Sequence, residues 1–252
     1  MGVKTIILPG FKEAKKIKNT VKKSYAEIAA CSGSCSCGNQ NAQRQSGMMG
    51  YSDEEMNQVP GGSNLGLGCG NPVAIASLKP GEVVVDLGSG AGFDAFLAAG
   101  KVGLKGKVIG VDMTEEMLQK ARENAKKGGF NNVEFRKGDI ESLPVKDGKA
   151  DAVISNCVIN LAPDKEKVFR ETYRVLKPGG RLMVSDVVLT KPLPDNLKND
   201  EELLCSCVAG AILKKDYLDL LEKAGFTGIK IHKETPGFLK DYTESLTYSA
   251  VK

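Results

Sequence analysis

Two sets of residues in this chain have types and spacings suited to chemistry. The first is the stretch Val83–Asp94, VVVDLGSGAGFD. A β-branched run, Val83, Val84 and Val85, ends in Asp86; Gly88, Gly90 and Gly92 follow, and a helical pattern opens at Phe93. Glycines let the backbone turn sharply and let a ligand approach without a Cβ in the way. A helix start offers unpaired backbone N–H groups. Strand, glycine-rich turn and helix in that order form the context of a nucleotide-type site. The plainer reading is a tight connection between strand and helix. The second set is seven cysteines: Cys31, Cys35, Cys37, Cys69, Cys157, Cys205 and Cys207. In a reducing compartment such thiols point to metal binding or catalysis before structural disulfides.

The dinucleotide fingerprint is G-x-G-x-x-G, with pyrophosphate on the helix N-terminus. Here the loop is G-x-G-x-G, with Asp86 two positions before the first glycine. That spacing resembles motif I of the S-adenosylmethionine-dependent methyltransferases with a Rossmann-like sheet. Their ligand carries an amino group and a sulfonium and no phosphate, so a carboxylate at the strand end suits it. A second acid is then expected at the end of the next strand, on the ribose hydroxyls. Asp112, in KVIGVD, lies 26 residues after Asp86, near the spacing of a ribose carboxylate. Gly138, Asp139 and Ile140, after the strand Val133–Arg136, fit the adenine edge. The resemblance implies S-adenosylmethionine as cofactor, held by Asp86, Gly88, Ser89, Gly90, Gly92, Asp112, Met113, Asp139, Ile140 and Asn156.

The elements that must position these residues follow a β/α alternation. Strands are expected at Val83–Leu87, Lys107–Asp112, Val133–Arg136, Ala152–Ser155 and Arg181–Val188, with late strands at Gly228–His232 and Ser245–Val251. Helices are expected near Phe93–Ala99, Glu115–Lys127 (Thr114 as N-cap), Lys165–Leu176, Asp200–Leu213 and Lys215–Ala224. Lys177–Gly180, KPGG, stops the third of them. Such alternation predicts an α/β fold: a Rossmann-like, seven-stranded, mostly parallel sheet with helices on both faces. Residues 1–80 read as an N-terminal extension and 81–252 as the methyltransferase domain, with 190–213 as a lid over the substrate site. In the extension, Ile17, Val21, Tyr25 and Ile28 recur at helical spacing. Residues 31–50, polar and glycine-rich, read as a loop, and so does Val59–Cys69. Asn71–Pro72 reads as an N-cap followed by the proline favoured at the first helical position.

Composition narrows the function. At 252 residues with 41% hydrophobic content the chain can bury a real core. A net charge of +4 supports no polyanion partner, so no nucleic acid is expected, and the lysines of Phe11–Lys23 read as the wet face of a helix. No stretch approaches the ~20 apolar residues of a membrane span, and the apolar run Ile6–Leu8 is too short for a signal peptide. A cytoplasmic monomer with reduced thiols is the expectation.

Cys157 follows Asn156 at the end of the fourth strand, where open parallel sheets bind ligands. Cys207 lies in the segment expected to cap the same edge, and Cys69 just before the core domain. Each alone could be a small buried apolar residue. Cys31-x₃-Cys35 meets half of a zinc-site pattern, and a disulfide or redox switch at Cys35 and Cys37 is equally open. The single histidine, His232, falls in a late strand and reads as structural, which disfavours Ser–His and Cys–His nucleophilic pairs.

From about Cys31 to Phe226 the chain resembles the arsenite methyltransferases that use S-adenosylmethionine. LGCGNP (Leu67–Pro72), ISNCVINL (Ile154–Leu161) and CVAGA (Cys207–Ala211) are the specific matches; VVDLGSGAGFDAFLAA, IGVDMTEEML and VLKPGGRLMVSDVV are shared more widely among methyltransferases. The resemblance implies that Cys69, Cys157 and Cys207 bind trivalent arsenic as thiolates, and that Cys35 or Cys37 has a redox role. Soft thiolates suit a soft centre, and three of them leave the arsenic lone pair free to attack a methyl carbon. It also implies a thiol reductant as co-substrate, with small thiols or a thioredoxin-like protein as partner. Two other readings are a methyltransferase for a small organic molecule of quinone or sterol-precursor type, and a metalloid-sequestering protein. The intact Asp86–Gly92 loop speaks against the latter, since sequestration needs no cofactor.

Overall fold

The computed structural model describes residues 11–31, 36–198 and 200–252. The chain opens with helices α1 (Phe11–Cys31), α2 (Ser36–Met49), α3 (Asp53–Asn57) and α4 (Pro72–Ile75). The alternation follows: β1 (Val83–Leu87), α5 (Phe93–Val102), β2 (Lys107–Asp112), α6 (Glu115–Gly128), β3 (Val133–Lys137), β4 (Ala150–Asn156), a 3-10 turn at Ile159–Leu161, α7 (Lys165–Val175) and β5 (Leu176–Leu189). Short helices α8 (Asp195–Lys198) and α9 (Glu201–Cys205) lead to α10 (Lys214–Lys223), β6 (Thr227–Pro236) and β7 (Thr243–Val251).

The seven strands form one sheet in the order β3-β2-β1-β4-β5-β7-β6. Its first five strands are parallel, and β7 runs antiparallel to both neighbours. The order reverses between β1 and β4, and such switch points open a crevice beyond the carboxyl ends of the strands. Alternation along β1 sends Val85 and Leu87 to one face and Val84 to the other, into two separate cores. The first core joins them to Phe169, Tyr217 and Tyr248; the second joins Val84 to Phe96, Ile154 and Met183. Val84, Val85 and Leu87 are fully buried, as expected for a strand covered on both faces. A third cluster gathers Val21 of α1, Leu189, Leu193, Cys207 and Val208 above the carboxyl edge of the sheet. It fastens α1 and the 190–213 segment to the same rim.

Three expectations need correction. Residues 36–49, read as loop, form α2. Among its described side chains the buried ones are Ala42 and Ser46, one turn apart, and small or polar residues give no hydrophobic signal; packing against the loop at Asn64, through a 2.9 Å bond from Ser46 Oγ, overrides weak propensity. The helix expected over Asp200–Leu213 is only α9, because Cys207 has a left-handed backbone (φ 65°) that breaks it. KPGG lies just beyond the end of α7, as expected, and the strand expected from Arg181 begins at Leu176: the β4–β5 register shifts between Ala150 and Ala152, an irregularity that accommodates Pro178. The late strands are longer than expected at both ends of the hairpin. Asn71 does cap α4, accepting the Ala74 N–H at 2.9 Å, with Pro72 at its first position. Thr114 occupies the N-cap of α6 without a side-chain capping bond. Among the described residues no helix is long and apolar enough to cross a membrane.

Candidate cofactor and thiol site

The crevice at the switch point is a cavity whose wall holds nine of the ten residues expected to bind the cofactor; Gly92 instead caps α5 with φ 97°. Gly88 must be glycine on two counts: its φ is 64°, and a Cβ there would clash with Val158. Asp112 accepts the Gly90 N–H at 2.9 Å and the Thr114 N–H at 2.8 Å, which fixes the loop against the end of β2. Burial raises the Asp112 carboxyl, and those N–H donors oppose the rise.

Asp86 is the telling residue. It is 2% exposed, and its Oδ2 has no hydrogen-bond partner. Burial first, then the neighbouring carboxylates Asp94 and Asp112, push its carboxyl well above the usual range. An orphaned buried acceptor is costly, and a cationic amino group entering the cavity would satisfy it. The donor set therefore fits S-adenosylmethionine.

The outer wall comes from α1. Lys18, Val21 and Tyr25 all face the cavity. Lys18 Nζ lies 2.6 Å from both Asp139 and Glu141, so it is not part of a wet helix face. Tyr25 donates to the Cys205 carbonyl at 3.2 Å. Sequence periodicity marks Val21 and Tyr25 as buried but carries no sign of what they face.

Cys69, Cys157 and Cys207 come from three separate segments and meet beside this cavity. Cys157 follows β4 directly, its N–H bonded to Ser185 O at 2.8 Å. Cys207 Sγ donates to the Cys157 carbonyl at 2.6 Å. Ser245 Oγ donates to the Cys69 carbonyl at 2.6 Å. The neighbouring Cys207 and Cys69 side chains hold the Cys157 thiol well below the usual thiol range. Burial pushes the Cys69 thiol up, and the bond to Cys157 does the same to Cys207. Three non-glycine residues have left-handed backbones among the described residues, and two of them are Cys157 and Cys207. Such strain costs about 1–3 kcal/mol per residue and gathers where function holds it.

A carboxylate oxygen of Asp186 lies with the Cys69 and Cys157 sulfurs inside a 4.8 Å group, and the Cys207 sulfur lies outside it. Asp186 accepts from Asn160 Nδ2 at 2.8 Å, the Val187 N–H at 2.9 Å and Tyr217 Oη at 3.1 Å. Burial, then the charge at Cys157, raises its carboxyl well above the ordinary value. Lys165, buried close by, reaches the Ala162 carbonyl at 3.1 Å, and burial brings its ammonium down to about 8. Neither residue had a signal in the sequence beyond being charged.

Cys35 lies outside the described residues. Cys37 is on α2 and Cys31 ends α1, and the side chains of both lie outside the described residues. Cys205 is on α9, half-buried and free. His232 sits on β6, exposed, with Nε2 2.8 Å from Ser249 Oγ.

Asn156, expected on the cofactor, lines the cavity and also holds the thiol turn. Its Oδ1 accepts the Cys69 N–H at 3.0 Å, and its Nδ2 reaches Gly70 O at 2.9 Å, Tyr51 Oη at 2.9 Å and Asp94 Oδ2 at 3.0 Å. Gly68 closes on this amide: its φ is 127°, and a Cβ would come within 2.8 Å of the Asn156 side chain. Gly68→Ala is expected to strain the Cys69 turn, since alanine at this φ costs more than about 1 kcal/mol, and to lower the melting temperature by about 2–4 °C or more. Thermal melting checks this; an unchanged melting temperature would show that the turn tolerates displacement.

Burial raises Asp94 to about 6, against the opposing pull of its donors Tyr51 and Asn156. The folded protein therefore keeps this proton between about pH 4 and pH 6, where an unfolded aspartate has lost it. Its contribution to stability falls as pH rises through that window. Melting temperatures across pH 4 to 7 should shift in favour of Asp94→Asn relative to the unsubstituted chain as pH rises. A pH-independent difference would contradict the assignment.

Residues 78–225 match the family described as a methyltransferase domain. The chain is 46% identical over 246 residues to an arsenite methyltransferase of Halobacterium salinarum, covering 92% of this chain and 63% of that one. It is 44% identical over 181 residues to an arsenite methyltransferase of Aquipseudomonas alcaligenes, covering 69% of this chain and 52% of that one. The chain thus spans between half and two thirds of the length of these relatives. Among solved structures, an arsenic(III) S-adenosylmethionine methyltransferase from Chlamydomonas reinhardtii superposes with a TM-score of 0.63 at 35% identity, covering 84% of this chain and 73% of that one. The chain belongs to the methyltransferase domain family, in its arsenite S-adenosylmethionine methyltransferase branch.

Proposed function

We propose that this chain transfers a methyl group from S-adenosylmethionine to trivalent arsenic held by Cys69, Cys157 and Cys207. The carrying observation is that these three thiols, remote in sequence, meet beside a cavity whose wall includes both Asp86 and Cys157. When bound, S-adenosylmethionine supplies an electrophilic methyl on a sulfonium, and the arsenic lone pair is the nucleophile. Asp86 holds the amino end, Asp112 the ribose and Asp139 the adenine side. Cys157 makes the first arsenic bond as a thiolate, displacing one hydroxide of arsenous acid that takes a proton from solvent and leaves as water. Cys69 and Cys207 follow, each giving its proton to a further departing hydroxide as water. Arsenic in that complex carries no proton, so no general base acts in the methyl-transfer step, and rate comes from positioning. Residues 190–213 carry Cys207 and serve as a lid.

Methylation takes arsenic from the trivalent to the pentavalent state. Two thiols becoming a disulfide return two electrons; Cys35 or Cys37 with Cys69 fills that role, and a small dithiol or a thioredoxin-like protein reopens the bond. Thiols that must stay reduced suit the cytoplasm.

The test is methyl transfer from labelled S-adenosylmethionine with arsenite and a dithiol. Labelled methylarsenicals are the expected products. Label entering a quinone or sterol precursor, with none in arsenic, would replace this reading by the organic-substrate one.

A further inference from the structure

We propose that the buried linkage Tyr51–Asp94–Asn156 couples the cofactor pocket to the Cys69 turn, so that each ligand binds more tightly when the other is present. This rests on the function proposed above. Asp94 is the second residue of α5, the helix that opens directly from the glycine loop, and it lines the cavity. Its Oδ1 accepts Tyr51 Oη at 2.5 Å and its Oδ2 accepts Asn156 Nδ2 at 3.0 Å. Asn156 then holds both sides of the thiol turn, through the Cys69 N–H and the Gly70 carbonyl. Its amide oxygen and both amide hydrogens are engaged within the protein. Asn156 also lines the cavity, so the path from cavity to the Cys69 backbone is one side chain long directly and two through Asp94.

Tyr51 keeps that path in one arrangement. It is 4% exposed, and its ring packs on Phe93, the first residue of α5, with centroids 4.8 Å apart. Its hydroxyl touches Asp94 and Asn156 together, donating to one and accepting from the other. Tyr51 itself does not line the cavity. A ligand that fixes the first turn of α5 thereby fixes Asp94, then the Asn156 amide, then the turn that presents the Cys69 sulfur. Buried hydrogen bonds of this kind reinforce one another at low dielectric. Coupling must be equal in both directions.

The experiment is titration calorimetry of the full chain with arsenite, without and with saturating S-adenosylhomocysteine, which binds the pocket but has no methyl to transfer. The unsubstituted chain is expected to bind arsenite roughly tenfold more tightly with the pocket filled, within the ~5–150-fold span of such couplings. Tyr51→Phe keeps the ring and removes only the hydroxyl. It should still bind both ligands, and the ratio of the two arsenite affinities should fall to about one. Asp94→Asn keeps the shape of its side chain and should reduce the ratio likewise, so the test survives if one variant folds poorly. Equal arsenite affinities in the unsubstituted chain, or a tenfold ratio surviving in both variants, would overturn the linkage while leaving the proposed function standing. No arsenite binding in any state would overturn both.

Discussion

Cys157→Ser is expected to abolish arsenite methylation while S-adenosylmethionine still binds. Of the three thiols, Cys157 is the one that the other two hold low. A serine hydroxyl is a hard donor and stays protonated at neutral pH, so it supplies neither the soft bond nor the negative charge. The substitution should leave the fold alone. The backbone bond from Cys157 to Ser185 does not involve the side chain, and serine has the same branching as cysteine at φ 58°. Losing an outer-shell partner of a metal ligand costs about 10–100-fold; losing a ligand should cost more. Arsenite titration and methyl-transfer rate check the first half, cofactor titration the second. Normal methylation by the variant would end the three-thiolate account.

Asp86→Asn is expected to raise the stability of the ligand-free protein and weaken the cofactor. Asp86 is buried with an unpartnered Oδ2, beside Asp94 and Asp112. An amide NH2 in place of that oxygen can donate to the neighbouring carboxylates and carries no charge to repel them. Relief of an unsatisfied buried acceptor is worth about 1–3 kcal/mol, which should appear as a higher melting temperature. The same change removes the anion that meets a cationic amino group. A hydrogen bond to a charged partner contributes about 1.5–3 kcal/mol, so affinity for S-adenosylmethionine should fall about 10- to 100-fold. Opposite signs in the two measurements are the signature of a residue kept for binding at the expense of stability. A variant that melts lower and binds normally would make Asp86 structural.

Much of this architecture is legible in the sequence because parallel strands covered on both faces read as apolar runs. VVVDL and KVIGVD became β1 and β2 with the bounds expected, and Asp86 and Asp112 fell at the strand ends that face the crevice. The helix α2 was not legible, since Ala42 and Ser46 pack through smallness rather than hydrophobicity. Cys157 could be placed at the rim from topology alone. Cys207 falls in a segment expected to cap the same edge and Cys69 just before the alternation, but only the resemblance joins the two to Cys157 as a set. The charge pattern of α1 hid Lys18, because a lysine bound to Asp139 and Glu141 across the cavity looks, in sequence, like any lysine facing water. Asn156 lies in the cavity wall, and its bonds to the thiol turn had no signal in the sequence. Gly68 lets the Cys69 turn close upon its amide, and Gly70 lets the turn pack on Ser185 and Thr247.

The most direct test of the central claim is arsenic X-ray absorption on the arsenite-loaded protein, which counts the atoms bound to arsenic by type. Three sulfur neighbours and no oxygen are expected, since Cys69, Cys157 and Cys207 together replace all three hydroxides of arsenous acid. An arsenic atom that retains oxygen neighbours, with two sulfurs or fewer, would contradict the three-thiolate site and the mechanism built on it.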